Sequence, residues 1–134
     1  MTPPIFPNAT HAAPNFTWVE FGCRCGLCGP DFPPSVKRQL GRLATALQAL
    51  RDKVGPIRIT SGYRCPRHNT AVGGAKASQH VLGVAADVVS RTHTPAQLAE
   101  VAEAIPAFAQ GGIGIYPSWV HVDVRNGRAR WDNR

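Results

Sequence analysis

The chain is short of acidic groups, lacks any apolar run approaching a bilayer's width, and shows no internal repeat or low-complexity linker. A membrane-spanning helix needs roughly 20 consecutive apolar residues, so no helical span is expected. Only 8 Asp and Glu stand against 15 Lys and Arg, a net charge of +7. That imbalance favours an anionic partner: nucleic acid, anionic lipid or a polyanionic cell wall. No nucleic-acid-binding motif accompanies the arginines, which are scattered until they thicken in RNGRARWDNR, so a nucleic-acid partner is not expected. The opening MTPPIFPNATHAAPNFTW has four prolines and neither a basic cluster nor an apolar core. It does not read as a secretory leader, and we expect a loosely ordered arm over residues 1–15. At 134 residues the remainder, 16–134, suits one domain with one core.

What is present is periodic. Val36, Leu40, Leu43, Leu47 and Leu50 recur at steps of four and three, which predicts an amphipathic helix entered at Pro33-Pro34 and stopped by Gly55-Pro56. IRITSG alternates as a half-buried strand. A short helical turn over Pro66 to Val72 precedes a loop at Gly73-Gly74, and VAADVV reads as a strand. A second helix starts at Thr94, with Pro95 in its first position and Gln97 completing a capping box. The last third reads as two or three strands, with turns at Pro117 and at Asn126-Gly127, the latter a hairpin signal. Helices without regular βαβ alternation and strands clustered late predict an α+β domain, with a mainly antiparallel central sheet flanked by helices.

Two strands carry ionisable groups that a valine-rich segment should reject. In residues 84–89, Asp87 shares a face with Ala85 and Val89; in WVHVDVR, His121 and Asp123 share the face opposite Val120, Val122 and Val124. A buried carboxylate is costly unless paired with a charge or a metal. His80, Asp87 and His121 together offer two imidazoles and one carboxylate, leaving a fourth position open, which is the donor pattern of a catalytic zinc.

The stretch SQHVLGVAAD also matches S-x-H-x-x-G-x-A-x-D, and so resembles the zinc D-alanyl-D-alanine carboxypeptidase family of peptidoglycan peptidases, whose fold is shared with the hedgehog signalling domain. ITSGYRCPRHNTAVGGAKASQH and GGIGIYPSWVHVDVR are similar to the flanks of that family's zinc ligands, and FTWVEFGCRCG to the opening segment of phage and bacterial members; the resemblance covers roughly residues 16 to 131. It implies a hedgehog/DD-peptidase-like fold, Zn2+ held by His80, Asp87 and His121, and cleavage of peptidoglycan stem peptides as a carboxypeptidase or endopeptidase. It implies a monomer acting at the cell wall, whether periplasmic, extracellular or phage-released.

Within that frame Arg64 matches the arginine that stabilises the oxyanion, a role suited to a permanently charged fork of donors. Ser78, Tyr63, Asn69 and Trp119 fall around the substrate. The family's general base, an acid three residues before the last histidine, is replaced by Ser118. Asp123 is the candidate base in its stead, with two alternatives: it orients a histidine, or pairs with Arg125. The missing acid also leaves open a second reading, a non-catalytic, zinc-containing wall-binding module of the same fold. His68 reads as a turn residue, and His11 and His93 have no partners in sequence. Cys23, Cys25, Cys28 and Cys65 lack the two separated C-x-x-C knuckles of common zinc modules, so disulfides, a structural zinc and free thiols all remain open.

Overall fold

A computed structural model describes residues 4–134. The first helix, α1 (Pro34–Val54), runs as its spacing predicts: Leu40, Leu43, Leu47 and Leu50 are fully buried. Each such leucine contributes roughly 1.5–3 kcal/mol of transfer free energy, which is why a helix with so polar an outer face docks firmly. Pro34 supplies a preset φ at the first turn, and Gly55, at φ 84°, lets its amide close on the Arg51 carbonyl at 2.8 Å. The chain then enters β3 (Ile57–Ser61), where Ile57 and Ile59 are buried and Arg58 is exposed. Two short helices, α2 (Pro66–Ala71) and α3 (Gln79–Leu82), lead to β4 (Ala85–Ser90).

The expected capping box at Thr94 is formed: Thr94 Oγ1 accepts from the Gln97 amide at 3.2 Å, and Gln97 Oε1 accepts from the Thr94 amide at 2.8 Å. It starts α4 (Pro95–Ala102), which is followed by α5 (Pro106–Ala109), β5 (Gly112–Ile115), β6 (Val120–Asp123) and β7 (Ala129–Asp132). The five long strands form one sheet in the order β3-β4-β6-β5-β7, antiparallel except for the parallel pair β5 and β7. Helices and one mixed sheet around a single core make the chain α+β. Among the described residues no helix is long and apolar enough to cross a membrane.

One sequence expectation is corrected. Asn126-Gly127 does turn, with Gly127 at φ 103°, but the strands on either side are not a hairpin. β7 passes beyond β6 and pairs with β5, so β5 lies between them. It is held there by Arg130, which donates to the Gly111 and Ala109 carbonyls and pairs with Glu103 at the end of α4, as does Arg128. Near the start of the described chain, residues 8–18 make contacts of their own. β1 (His11–Ala13) pairs with β2 (Phe16–Thr17), Ala12 and Ala13 are buried, the Asn15 amide donates to Gln48 Oε1 of α1, and Trp18 Nε1 donates to the Asn8 carbonyl at 2.7 Å.

The sheet's two faces carry different jobs. Ala86, Val88, Val120 and Val122 join the leucine core, while the alternate residues form lateral rows on the other face. One row reads Ser61, Asp87, His121, Gly114, Trp131 across all five strands; the next pairs Ala85, Asp123, Gly112 and Ala129. A register irregularity between Ile59 and Ser61 brings Ser61 opposite Asp87. Gly114 is the flat seat on which the Trp131 indole lies, since a Cβ there would collide with the ring. Gly114→Ala is therefore expected to cost about 1–3 kcal/mol by overpacking, read as a lower denaturant midpoint with unchanged slope.

Candidate metal centre and cleft

The row places three donors together. His80, on the single turn of α3, and Asp87 and His121, opposite one another on β4 and β6, each offer an atom within 4.8 Å of the others, and all three are buried. Local chemistry aims His80: Ser78 caps α3, its Oγ accepting from the His80 amide at 3.2 Å, and Gly83 ends the helix at φ 80°. His80 Nδ1 lies 2.8 Å from the Gly62 carbonyl, which can only accept, so the proton sits on Nδ1 and the Nε2 lone pair faces inward. That lone pair lies 3.3 Å from Asp87 Oδ1, an acceptor facing an acceptor. A shared cation, whether a proton or a metal ion, relieves such a contact.

His121 repeats the pattern with its nitrogens exchanged. Nε2 is 2.7 Å from Asp123 Oδ2 and donates to it, leaving Nδ1 to face Asp87 Oδ1 at 3.2 Å. Tetrahedral zinc with bonds of ~2.0–2.2 Å sets its donors roughly 3.3–3.6 Å apart, and the edges of 3.3 and 3.2 Å stand close to that spacing. Two imidazole nitrogens and one carboxylate oxygen are also a zinc donor set in kind. The residues present therefore fit the ion. Burial would raise the Asp87 carboxyl, but the His121 and His80 imidazoles beside it outweigh burial and hold Asp87 ionised, below the usual carboxylate range. Burial disfavours the imidazolium of His121, yet Asp123 and Asp87 on either side raise its pKa. The same two carboxylates would draw a metal cation to this spot.

Asp123 lies behind the ligands and does not line the cleft. It is fully buried, and both oxygens are engaged: Oδ1 accepts from the Gly112 amide at 2.8 Å and from Arg125 Nε at 2.9 Å, and Oδ2 accepts from His121 and from Arg125 Nη2 at 2.7 Å. Burial alone would raise its pKa; His121 and Arg125 reverse that and keep it ionised. Gly112 has no side chain because a Cβ would strike this carboxylate.

The donors open into a cleft of about 420 Å³ lined by Arg64, Ser78, Tyr116, Trp119, Arg125 and Trp131 among others. Arg64 sits at the donors' edge, Nη2 3.7 Å from Asp87 Oδ2, steadied by Ser61 Oγ on Nε and Asn69 Oδ1 on Nη1. Asn69, expected at the substrate, is instead buried beneath Arg64; its Nδ2 donates to the Ala75 carbonyl, and Gly74 packs so closely on it that no Cβ fits. Tyr63 also lies outside the cleft, in the core, edge-on to Phe32 at 5.8 Å. Trp119 lines the cleft and stacks on Tyr116 at 4.8 Å, 11° from parallel.

Sequence reasoning missed Tyr116, Arg125 and Trp131 as cleft residues. Trp131 reaches it because β7 lies beside β5, donating Nε1–H to Tyr116 Oη at 2.9 Å and packing 4.9 Å from the His121 ring. The available signal was the alternation Gly112, Gly114, a strand face bare of side chains and so open to large neighbours.

Comparison with known proteins places the chain in a family. The chain is 34% identical over 93 residues to the zinc D-Ala-D-Ala carboxypeptidase of Streptomyces albus G, covering 66% of this chain and 36% of that protein. It thus spans about a third of the relative it matches. The family model described as Peptidase M15 matches residues 14–123, through the last strand donor, and the chain belongs to the peptidase M15 family.

Proposed function

We propose that this chain is a zinc metallopeptidase that hydrolyses peptide bonds in peptidoglycan stem peptides, as a D-Ala-D-Ala carboxypeptidase or a murein endopeptidase, at the cell wall. The observation that carries the reading is the buried His80, Asp87 and His121 cluster, with donor edges of 3.2 and 3.3 Å, facing an open cleft beside Arg64. Zinc bound by these three would supply Lewis acidity toward the scissile carbonyl and acidify a water molecule.

The chain's own residues supply the rest. Arg64, fixed by Ser61 and Asn69, presents its guanidinium to the carbonyl oxygen as negative charge develops there. Ser78 caps α3 and borders the substrate path, and Tyr116, Trp119 and Trp131 form an aromatic wall for the stem peptide. The net charge of +7 suits an anionic wall.

Asp123 fits an orienting role better than that of a base, because no free oxygen of it faces the cleft. Asp123→Asn is then expected to weaken zinc binding about 10–100-fold while leaving kcat near wild type at saturating zinc. A general base would show the reverse, a ~10²–10⁴-fold fall in kcat at unchanged zinc affinity.

Among the described residues no carboxylate other than Asp87 lines the cleft. That observation favours the second reading, a wall-binding module that keeps its zinc without cleaving. It also makes position 118 informative: Ser118→Glu would restore an acid on the turn before β6 and is expected to raise kcat at least ~10-fold. The decisive experiment measures amino groups released from purified peptidoglycan. Release that stops on chelation and returns with zinc supports the peptidase; retention on the wall with no release establishes the module instead.

A further inference from the structure

A second cluster of soft donors lies apart from the cleft. The Sγ atoms of Cys23, Cys25, Cys28 and Cys65 all fall within 4.8 Å of one another, and all four are free thiols. Three come from the turn after the 3-10 helix Trp18–Phe21; the fourth is the N-cap residue of α2, on the far side of β3. The turn is folded around sulfur. Amides of Leu27 and Cys28 donate to Cys25 Sγ at 3.4 and 3.3 Å, the Cys65 amide to Cys23 Sγ at 3.3 Å, and the His68 amide to Cys65 Sγ at 3.4 Å. Gly26 and Gly29, at φ 83° and 52°, allow the reversal, and the Cys23 amide closes it on the Gly29 carbonyl at 2.9 Å.

We propose that these four cysteines bind a structural zinc ion as a tetrathiolate. Four thiolates ~2.3 Å from one ion stand about 3.8 Å apart in a tetrahedron, inside the observed envelope. Soft sulfur donors favour zinc over magnesium or calcium. The set of four is complete, with no position left for water, in contrast to the three donors of the cleft.

Two disulfides are the rival. Each would draw one pair to ~2.05 Å and gives no reason for both pairs to share a centre. The converging amides also suit thiolates, because hydrogen bonds to a charged acceptor are stronger than those to neutral sulfur.

The ion would act as a clamp. Cys65 directly follows Arg64, so the metal joins the 23–29 turn to the segment that carries the oxyanion arginine. Neighbouring contacts run the same way: the Tyr63 amide donates to the Phe21 carbonyl at 3.0 Å, and Gly62 lies so flat on Phe21 that a Cβ would stand 2.8 Å from its Cα. The assignment rests on sulfur geometry and is independent of the peptidase reading.

Metal analysis of the full chain and of Asp87→Ala, both purified with zinc under reducing conditions, tests it. About two zinc ions per wild-type chain and about one in Asp87→Ala are expected. Cobalt substituted into Asp87→Ala should give intense sulfur-to-cobalt charge-transfer absorption, which Cys25→Ser/Cys28→Ser should lose. Should the double variant fail to fold, the Asp87→Ala measurement decides alone. An Asp87→Ala chain without metal, a cobalt spectrum without sulfur bands, or an intact mass reduced by the hydrogens lost in disulfide formation would each overturn the proposal. None of these results would touch the cleft's own zinc.

Discussion

An alanine at position 80 is expected to empty the cleft of its metal and to lower amino-group release from peptidoglycan by at least about 10³-fold. The size follows from the chemistry lost: a metal's polarisation of the carbonyl is worth several kcal/mol, and each 1.36 kcal/mol is a factor of ten in rate. Only Asp87 and His121 would remain as donors, and Asp87 would keep a single imidazole partner. His80 also ties α3 to the Gly62 carbonyl, so stability will fall somewhat with activity. Thermal unfolding of the variant in excess zinc separates the two effects. A variant that stays folded at the assay temperature yet releases nothing points to lost chemistry, whereas full release would remove His80 from the site.

The second large effect belongs to Arg64. Arg64→Ala is expected to lower kcat by about 10²–10³-fold, the usual consequence of deleting one oxyanion donor, with zinc content unchanged because arginine is not a ligand. Arg64→Lys should recover only part of the loss. An ammonium restores charge but cannot at once reach Ser61 Oγ, Asn69 Oδ1 and the substrate, as the guanidinium fork can. Steady-state kinetics on a stem-peptide substrate distinguish this from a role in binding alone, which would raise KM and spare kcat.

How far the site could be read from residues depended on whether the deciding interaction was local. α1, β4 and β6 were legible because a 3.6- or 2-residue period is written directly in the side chains, and the same period put Asp87 and His121 on one face. The cap at Thr94 was legible because both of its hydrogen bonds fall within three residues. The Asn126-Gly127 turn was legible as a reversal only. A turn reports a change of direction, while the choice of β5 as partner depends on what else packs at the edge, here Arg130 against Glu103 and Trp131 on Gly114.

Asp123 marks the same limit inside the site. Its spacing from His121 correctly put both on one face, but whether its oxygens face a cleft or the interior is settled by Gly112 and Arg125, from outside the strand. Asn69 and Tyr63 sit beside motif residues in sequence and turn inward for comparable reasons, one to brace Arg64 and the other to fill the space beside Phe32. The cysteines were ambiguous because three are adjacent and the fourth is brought to them by β3 and the Phe21 contact.

The central claim is that one lateral row of the sheet, with α3 above it, holds a metal ion. Anomalous diffraction at the zinc edge from crystals of the zinc-loaded protein tests it most directly. A peak ~2.0–2.2 Å from His80 Nε2, an Asp87 carboxylate oxygen and His121 Nδ1 is the expected result. No peak among these three side chains, or a His121 ring turned so that Nε2 takes the metal and Asp123 is left without its imidazole partner, would contradict the account.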